Sequence, residues 1–463
     1  MRQKGEKVDL AVLVLNRINM EIEQLHSLFV KCGTVITDSR KIKGGELFFA
    51  LKGENFDGNE YACKALDLGA EYAVVNSSLP FSEKYESRLI RVEDTLKTLK
   101  DLGCYHREHT FVNGKRLTVI GLTGTNGKTT TKELIRCVLS KKYNVTATEG
   151  NLNNDIGVPL SLLKINADTE IAVIEMGANH PDDILHLVNV CRPDYGLITN
   201  VGKAHLLGFG SYEGVKKAKG QLYDYIQKSG KAVFLNADDV VLSSMAAERK
   251  GMETIKYGMT LSSASILTSD SENPYLRILL PYNDKQIVIN THLVGKYNAD
   301  NIMAAISIGT KFGVPILDSI SAIENYIPSN NRSQMVKTAK NVLIVDAYNA
   351  NPTSMTAALD NFSNIKGNKK AVLLGDMREL GKDSLTEHIS VLKKLDSMPE
   401  QKIYLVGEEF CKALEVYKPK RQMMNFSDSE QLKSFLEEEK LEGYVVLIKG
   451  SRSIMMEKVI PVL

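Results

Sequence analysis

The sequence predicts an α/β protein of three domains, on three observations. Strand-like runs alternate with helical patterns over most of its length, the signature of βαβ units and a largely parallel sheet. Its 463 residues exceed what one hydrophobic core organises and suit about three domains at roughly 100 to 200 residues each. A glycine-rich turn set between a β-rich run and a helix pattern marks a nucleotide-binding domain among them.

The first block, 1–113, holds TDSRKIKGGELFFALKG and then DGNEYACKALDLGAEYAVV, an amphipathic stretch followed by a buried strand, as in a small α/β domain. A polar stretch, HREHTFVNGKR, leads into the short β-rich run Leu117 to Leu122, so a central P-loop domain is expected over 114–327. PSNNRSQ, from Pro328, reads as a linker. The runs VLIVD, AVLLGD, KIYLVG and YVVLIKG then predict a Rossmann-like third domain over 328–463. No internal repeat or low-complexity tract interrupts this plan.

Apolar residues make up 43% and charged residues 25%, close to the globular average, which excludes wholesale disorder. Lys and Arg number 58 against 56 Asp and Glu, a net charge of +2. No bulk field holds a polyanion, so nucleic acid is not an expected partner and a nucleotide must be gripped locally. Cys32, Cys63, Cys104, Cys137, Cys191 and Cys411 are scattered with no CxxC pair, the usage of reduced thiols, and a cytoplasmic location is expected. The apolar run Leu10 to Leu15, flanked by Asp9 and Asn16, is too short for a signal peptide or a membrane span, so no membrane role is expected.

The strongest motif is GLTGTNGKTTTKE, Gly121 to Glu133, followed by a helix pattern with Leu134, Ile135, Val138 and Leu139 on one face. It predicts a phosphate-binding loop formed by Gly124, Thr125, Asn126, Gly127, Lys128, Thr129 and Thr130. Glycines let backbone N–H groups turn toward phosphate oxygens, the helix N-terminus favours negative charge, Lys128 reaches the outer phosphates and Thr129 ligates Mg²⁺. Leu122 stands where GxxxxGK[ST] has its first glycine, so the loop is a variant.

Glu175 closes the apolar run IAVIE, and strand ends in such sheets face the ligand crevice. A carboxylate there holds Mg²⁺ or serves as a cap or turn residue, and the upstream loop favours the metal. In YGLITNVGKAHLLGFGS a strand ends at Thr199 and Asn200, with His205 after it. A lone histidine is more often structural, but its place after a strand end in this domain favours a metal or phosphate role. In GKYNADN, Asn298 and Asn301 open a helix, where their amides either cap it or read an adenine edge; the local pattern favours the cap. In DAYNANP, Asp346 sits where Rossmann-type sheets contact a ribose and Tyr348 suits base stacking, with a plain Asn/Pro turn as the equal alternative.

Taken in order, TDSR, GTNGKTT, NLNNDIGVP, EMGANH, TNVGKAHL, GKYNADN, DAYNANP, GDMRELG and KGSR resemble the Mur ligases, from about Met20 to the end. Residues 1–19 match nothing and are expected to be a dispensable extension. The resemblance implies ATP-dependent amide synthesis: the terminal carboxylate of UDP-N-acetylmuramoyl-tripeptide attacks the γ-phosphate, and the amine of D-alanyl-D-alanine attacks the resulting acyl phosphate, releasing ADP and phosphate. YNANP and GDMRELG point to the member with these two substrates.

The same resemblance assigns Thr129 and Glu175 to one Mg²⁺, and His205 with a carbamylated Lys219 to a second. Lys128, His205 and Lys219 become the catalytic groups. Asn298 then contacts adenine, Arg332 the γ-phosphate, and Asp346 and Tyr348 the ribose and base. Ser39 and Arg40 go to the UDP-muramoyl end, where a fixed guanidinium suits a diphosphate, and Asn151, Asn153 and Asn154 to the muramoyl-peptide region. Lys216, Lys217 and Lys219 also read as a solvated basic helix face, and Lys217 rivals Lys219 for the carbamate. The chain departs from the family pattern at Tyr297, Gln221 and Asn331, where histidine, glutamate and glycine are expected. A monomer is expected, with domain closure bringing the substrates together.

Two competing readings differ in class: another ligase of the family, adding an amino acid to a muramoyl peptide or glutamate to folate, and a P-loop NTPase coupling hydrolysis to movement. A non-catalytic scaffold is disfavoured by Lys128, Thr129, Glu175 and His205 together. No motif reports whether the third peptide residue is a pimelate-type diamino acid or lysine.

Overall fold

The computed structural model describes residues 20–463 apart from 81, 269–273, 329–331, 333, 366–368 and 400. The expected extension 1–19, Asn331 and much of PSNNRSQ therefore lie outside the described residues. Close packing divides the chain into two compact units, one formed by the stretch up to Gly121 with Asn144–Met176 and Leu185–Asp194, the other by Leu122–Tyr143, Gly177–Ile184 and Tyr195–Leu463.

The first unit opens with α1 (Ile22–Cys32), β1 (Val35–Ile36), β2 (Leu47–Phe49), α2 (Ala62–Asp67), β3 (Tyr72–Asn76), β4 (Leu89–Val92) and α3 (Thr95–His109). The four strands form a parallel sheet in sequence order. Alternation along the strands splits the core into two layers, as the pleat dictates. Leu47, Phe49, Val74 and Ile90 pack with Leu25 and Phe29 of α1 and Leu99 and Leu102 of α3. Phe48, Ala73, Val75 and Leu89 pack with Ala62, Ala65 and Leu66 of α2. The polar stretch after α3 is a hairpin, β5 (Phe111–Val112) and β6 (Lys115–Arg116), turned by Asn113 and Gly114 at φ of 51° and 76°, the pair such a tight turn requires.

Next, β7 (Thr118–Thr123) runs across the division and leads through the glycine-rich turn into α4 (Lys128–Leu139). Leu134, Ile135, Val138 and Leu139 are fully buried, as their spacing predicts. The first unit then contributes β8 (Val145–Ala147), α5 (Gly157–Leu162) and β9 (Ile171–Glu175), with β8 and β9 paired in parallel. After α6 (Asp183–Cys191) the second unit supplies β10 (Tyr195–Ile198), α7 (Leu206–Phe209), α8 (Tyr212–Ser229), β11 (Ala232–Asn236), α9 (Val240–Ala247) and β12 (Thr254–Tyr257), its three strands parallel. A small antiparallel sheet follows: β13 (Ser265–Leu267), β14 (Tyr275–Tyr282) and β15 (Lys285–Val294). The helices α10 (Asn298–Lys311) and α11 (Ile316–Glu324) both pack on α4.

The last part is an open sheet built from β16 (Gln334–Lys337), β17 (Val342–Asp346), α12 (Pro352–Asn364), β18 (Lys370–Gly375), α13 (Ser384–Ser397), β19 (Lys402–Val406), α14 (Glu408–Val416), β20 (Met424–Phe426), α15 (Ser429–Glu439) and β21 (Val445–Lys449). Its order is β16-β17-β21-β18-β19-β20, all parallel except the edge strand β16. Because β21 returns to lie between β17 and β18, Asp346 and Lys449 become register partners at neighbouring strand ends. The four apolar runs read from the sequence are β17, β18, β19 and β21. All six cysteines are free thiols. Among the described residues no helix is long and apolar enough to cross a membrane.

Candidate active site

The turn between β7 and α4 is fixed by its glycines and by a neighbouring strand end. Gly124 and Gly127 adopt φ of 147° and 78°, and a Cβ added to them would lie 2.0 Å from Thr199 Oγ1 and 2.8 Å from Asn301 Oδ1. No other residue fits there without displacing the loop. The Thr125 N–H donates to the Asn200 carbonyl (3.0 Å) and the Asn126 N–H to Asn200 Oδ1 (3.0 Å). Thr199 Oγ1 (2.6 Å) and Asn200 Nδ2 (2.9 Å) donate in return to the Asn126 carbonyl. Thr199 and Asn200, read only as a strand end, are thus the frame that holds the turn.

Lys128 Nζ donates to the carbonyls of Gly124 (2.8 Å) and Thr125 (3.1 Å), which lays its charge over the turn. Thr129 and Thr130 are buried in the first turn of α4. Behind them, Thr131 Oγ1 donates to Asn301 Oδ1 (2.9 Å), Asn301 Nδ2 to Asn298 Oδ1 (2.9 Å), and Asn298 Nδ2 to the Val294 carbonyl (2.9 Å). This chain of amides revises the cap reading. The N-cap of α10 is Tyr297, with no side-chain cap bond, and Asn298, only 1% exposed, turns inward because Asn301 one turn later offers it a partner. Tyr297 remains partly exposed.

His205 precedes α7 at φ 51°, and its Nδ1 is hydrogen-bonded to Glu379 Oε2 while the Leu207 N–H donates to the Glu379 carbonyl (3.0 Å). The imidazole beside Glu379 holds that carboxyl below the usual glutamate range, although partial burial opposes it. On α8, Lys219 is 2% exposed with its Nζ 5.7 Å from the centre of the Phe209 ring, whereas Lys217 is exposed and Lys216 pairs loosely with Glu248 at 3.8 Å. Gln221 donates to Asp182 Oδ1 (2.6 Å).

Asp346 is ion-paired with the buried Lys449, Nζ to Oδ2 at 2.5 Å. The Arg332 guanidinium lies 3.6 Å from the centre of the Tyr348 ring, a cation–π contact, with Arg452 at 5.5 Å. The Asn/Pro turn expected in DAYNANP is present: Asn351 caps α12 in a capping box with Ser354 and Pro352 opens the helix. Asn351 Nδ2 also donates to Asn126 Oδ1 (2.8 Å), joining that cap to the glycine-rich turn.

Ser39, Arg40, Asn151, Asn153, Asn154 and Glu175 belong to the first unit, and the other candidates to the second. Glu175 is 1% exposed at the end of β9; its N–H donates to Thr148 Oγ1 (3.0 Å), and Oε1 accepts from Asn153 Nδ2 (2.8 Å). Asn154 Oδ1 accepts from the Gly157 N–H (2.9 Å) and so starts α5, while Asn151 is exposed. Arg40 is exposed and held in a bidentate pair by Asp38 (2.8 and 2.9 Å), and that guanidinium draws the Asp38 carboxyl down to about 2. Among the described residues no group of three or more His, Cys, Asp or Glu forms a ready metal cage.

Asn351, Glu379 and Lys449 fall inside quoted motifs but have no individual role in the sequence reading, and Asn301, expected with Asn298 as a cap, instead links Thr131 to Asn298. One signal was available for Lys449, a lysine closing the apolar run YVVLI.

Three family profiles match this chain: Mur ligase family, catalytic domain, over residues 33–107; Mur ligase middle domain over 122–309; and Mur ligase, glutamate ligase domain, over 331–452. The chain is 32% identical over 432 residues to the UDP-N-acetylmuramoyl-tripeptide--D-alanyl-D-alanine ligase of Bacillus subtilis (strain 168), covering 92% of each. It is 32% identical over 450 residues to the ligase of that name from Escherichia coli (strain K12), covering 94% of this chain and 95% of that protein. Its fold is similar to a crystal structure of MurF from Acinetobacter baumannii, with a TM-score of 0.81, 30% identity and 92% of both chains covered. It is also similar to MurF ligase from Thermotoga maritima in complex with ADP, with a TM-score of 0.80, 26% identity, and 94% and 97% covered.

Proposed function

The chain belongs to the Mur ligase family, and we propose that it joins D-alanyl-D-alanine to UDP-N-acetylmuramoyl-tripeptide, cleaving ATP to ADP and phosphate, in peptidoglycan precursor synthesis. The observation that carries this reading is the turn Gly124–Gly127, held in shape by Thr199 and Asn200. With its Thr125 and Asn126 N–H groups tied to Asn200, the turn leads in a fixed path into the N-terminus of α4, whose dipole favours phosphate oxygens, and fixed dipoles need no reorganisation when charge develops on the transferring phosphoryl group.

Lys128 moves its ammonium from the loop carbonyls to the β- and γ-phosphates, compensating negative charge as the tripeptide carboxylate attacks. Asn298 faces adenine, Arg332 the γ-phosphate, and Asp346 with Tyr348 the ribose and base. Magnesium, when bound, supplies charge neutralisation and in-line alignment of the phosphates. Thr129 and Glu175 suit it, since a buried hydroxyl and a buried carboxylate are hard oxygen donors, and few protein ligands leave room for phosphates and water. His205 takes part at a second ion with its Nδ1 anchored by Glu379.

The burial of Lys219 and the exposure of Lys217 support Lys219 as the carbamate. Its neutral amine adds CO₂ and loses a proton, turning a cation that repels Mg²⁺ into an oxygen donor. Ser39 and Arg40 hold the UDP-muramoyl end, and Asn151, Asn153 and Asn154 the peptide side. The domain borders proposed are 1–113, 114–327 and 328–463, in a cytoplasmic monomer.

The test is to incubate purified protein with ATP, Mg²⁺, the UDP-linked tripeptide and D-alanyl-D-alanine, then weigh the product. A UDP-linked pentapeptide is expected, with phosphate release dependent on both acceptor substrates. ATP hydrolysis without them identifies an uncoupled NTPase and refutes the ligase.

A further inference from the structure

We propose that Lys449 is the residue that positions the ribose-binding carboxylate of Asp346; this rests on the reading of Asp346 as the ribose contact. Lys449 ends β21 in register with Asp346 at the end of β17. Its Nζ lies 2.5 Å from Asp346 Oδ2, 3.2 Å from the Asn349 carbonyl and 3.5 Å from the Asp346 carbonyl. The lysine side chain is 1% exposed and that of Asp346 19%.

A buried ammonium is costly unless its donors find acceptors and its charge a counter-ion. Here both conditions are met by oxygens of a single strand-end turn, 346–349. Lys449 therefore sets the rotamer of Asp346 and the path of the turn that presents Tyr348. It does not touch ligand itself, because its burial leaves it no access; it acts through the carboxylate, which keeps part of its surface open to solvent. A carboxylate held in one orientation can accept from both vicinal ribose hydroxyls, and a mobile one loses that geometry.

The readout is discrimination among nucleotides, which a merely structural lysine would not alter selectively. Binding of ATP, 2′-deoxy-ATP and 3′-deoxy-ATP is measured by calorimetry on the full chain as wild type, Asp346→Ala, Lys449→Met and Lys449→Gln, each with a melting curve. Lys449→Gln keeps a donor toward the Asn349 carbonyl and serves if Lys449→Met does not fold. We expect wild type to prefer ATP over both deoxy forms by about tenfold. Asp346→Ala and the folded Lys449 variants should bind all three nucleotides within about twofold of one another, with ATP weakened about tenfold. Preserved discrimination in a folded Lys449 variant, with discrimination lost in Asp346→Ala, overturns the proposal alone. Preserved discrimination in Asp346→Ala, or its absence in wild type, shows that the ribose reading has failed. Loss of fold in both Lys449 variants makes the lysine a structural group and also overturns the proposal.

Discussion

The two loops proposed to meet phosphates are built in opposite ways. The turn Gly124–Gly127 presents backbone N–H groups, so its shape is its chemistry, and that shape is enforced by partners far off in sequence: Thr199 and Asn200, Asn301 through Thr131, and Asn351 through Asn126. The loop at Ser39 and Arg40 presents a side-chain charge. A guanidinium carries its own fork of donors, so the loop needs only a local counter-ion, and Asp38 two residues away supplies it. Recognition by backbone requires a scaffold spread through the fold, whereas recognition by a fixed charge needs little more than a turn and a neighbour.

The largest expected effect separates shape from charge in the first loop. Lys128→Ala should abolish ligation, with a loss of ~3 kcal/mol or more of transition-state stabilisation and the melting temperature almost unchanged. Turnover at the wild-type rate refutes the phosphate-binding role. Gly124→Ala should also lose nucleotide binding, but through the frame, because the new Cβ would meet Thr199 Oγ1 at 2.0 Å. Its melting temperature should fall, which is the signature that distinguishes the two variants.

Next in size is the contrast between two lysines on one helix. Lys219→Ala should lower the rate by about 100-fold, roughly 3 kcal/mol, and short carboxylates should restore part of it by standing in for the carbamate. Lys217→Ala should be near wild type. An inactive Lys217→Ala rescued by carboxylate reverses the assignment.

Arg40→Ala probes the second loop. With its guanidinium exposed and paired locally, it should raise KM for the UDP-linked substrate by about tenfold and leave kcat and stability nearly unchanged. A large stability loss would mean that the loop too is part of a scaffold.

These contrasts explain what could be read from the sequence. Glycine spacing, GKT and the apolar stripe of α4 are local, so the tight turn and the helix after it were legible. The alternating runs gave the strands of the last sheet for the same reason. The amide relay from Thr131 to Val294 joins residues over 160 positions apart, and each asparagine taken singly looks like a cap. The Asp346–Lys449 pair depends on β21 returning beside β17, a choice of strand order that periodicity does not encode. The burial that separates Lys219 from its rival Lys217 is legible in the pattern: Val215, Ala218, Leu222 and Ile226 are among the buried positions of α8, and of the two lysines only Lys219 falls on their stripe.

The smallest effect distinguishes how the first unit responds to acid. His26 on α1 is hydrogen-bonded to His106 Nδ1 on α3 at 2.9 Å, and His106 Nε2 to the Ile165 carbonyl at 2.8 Å. Burial, with His106 and then His109 as lesser causes, pushes His26 down to about 4, and burial also lowers His106. The unfolded chain takes up a proton on His26 below about pH 6.5, while the folded state refuses it until about pH 4. The fold therefore keeps the full contribution of this contact above pH 6.5 and loses it as the pH falls toward 4, by an amount on the order of 1 kcal/mol because the site is partly exposed. His26→Gln retains a hydrogen-bonding group beside His106 without titrating. Its melting temperature should therefore fall less than that of wild type between pH 6.5 and pH 4. Equal falls in the two proteins would assign the acid response to other groups, and a steeper fall in His26→Gln would reverse the sign of the argument.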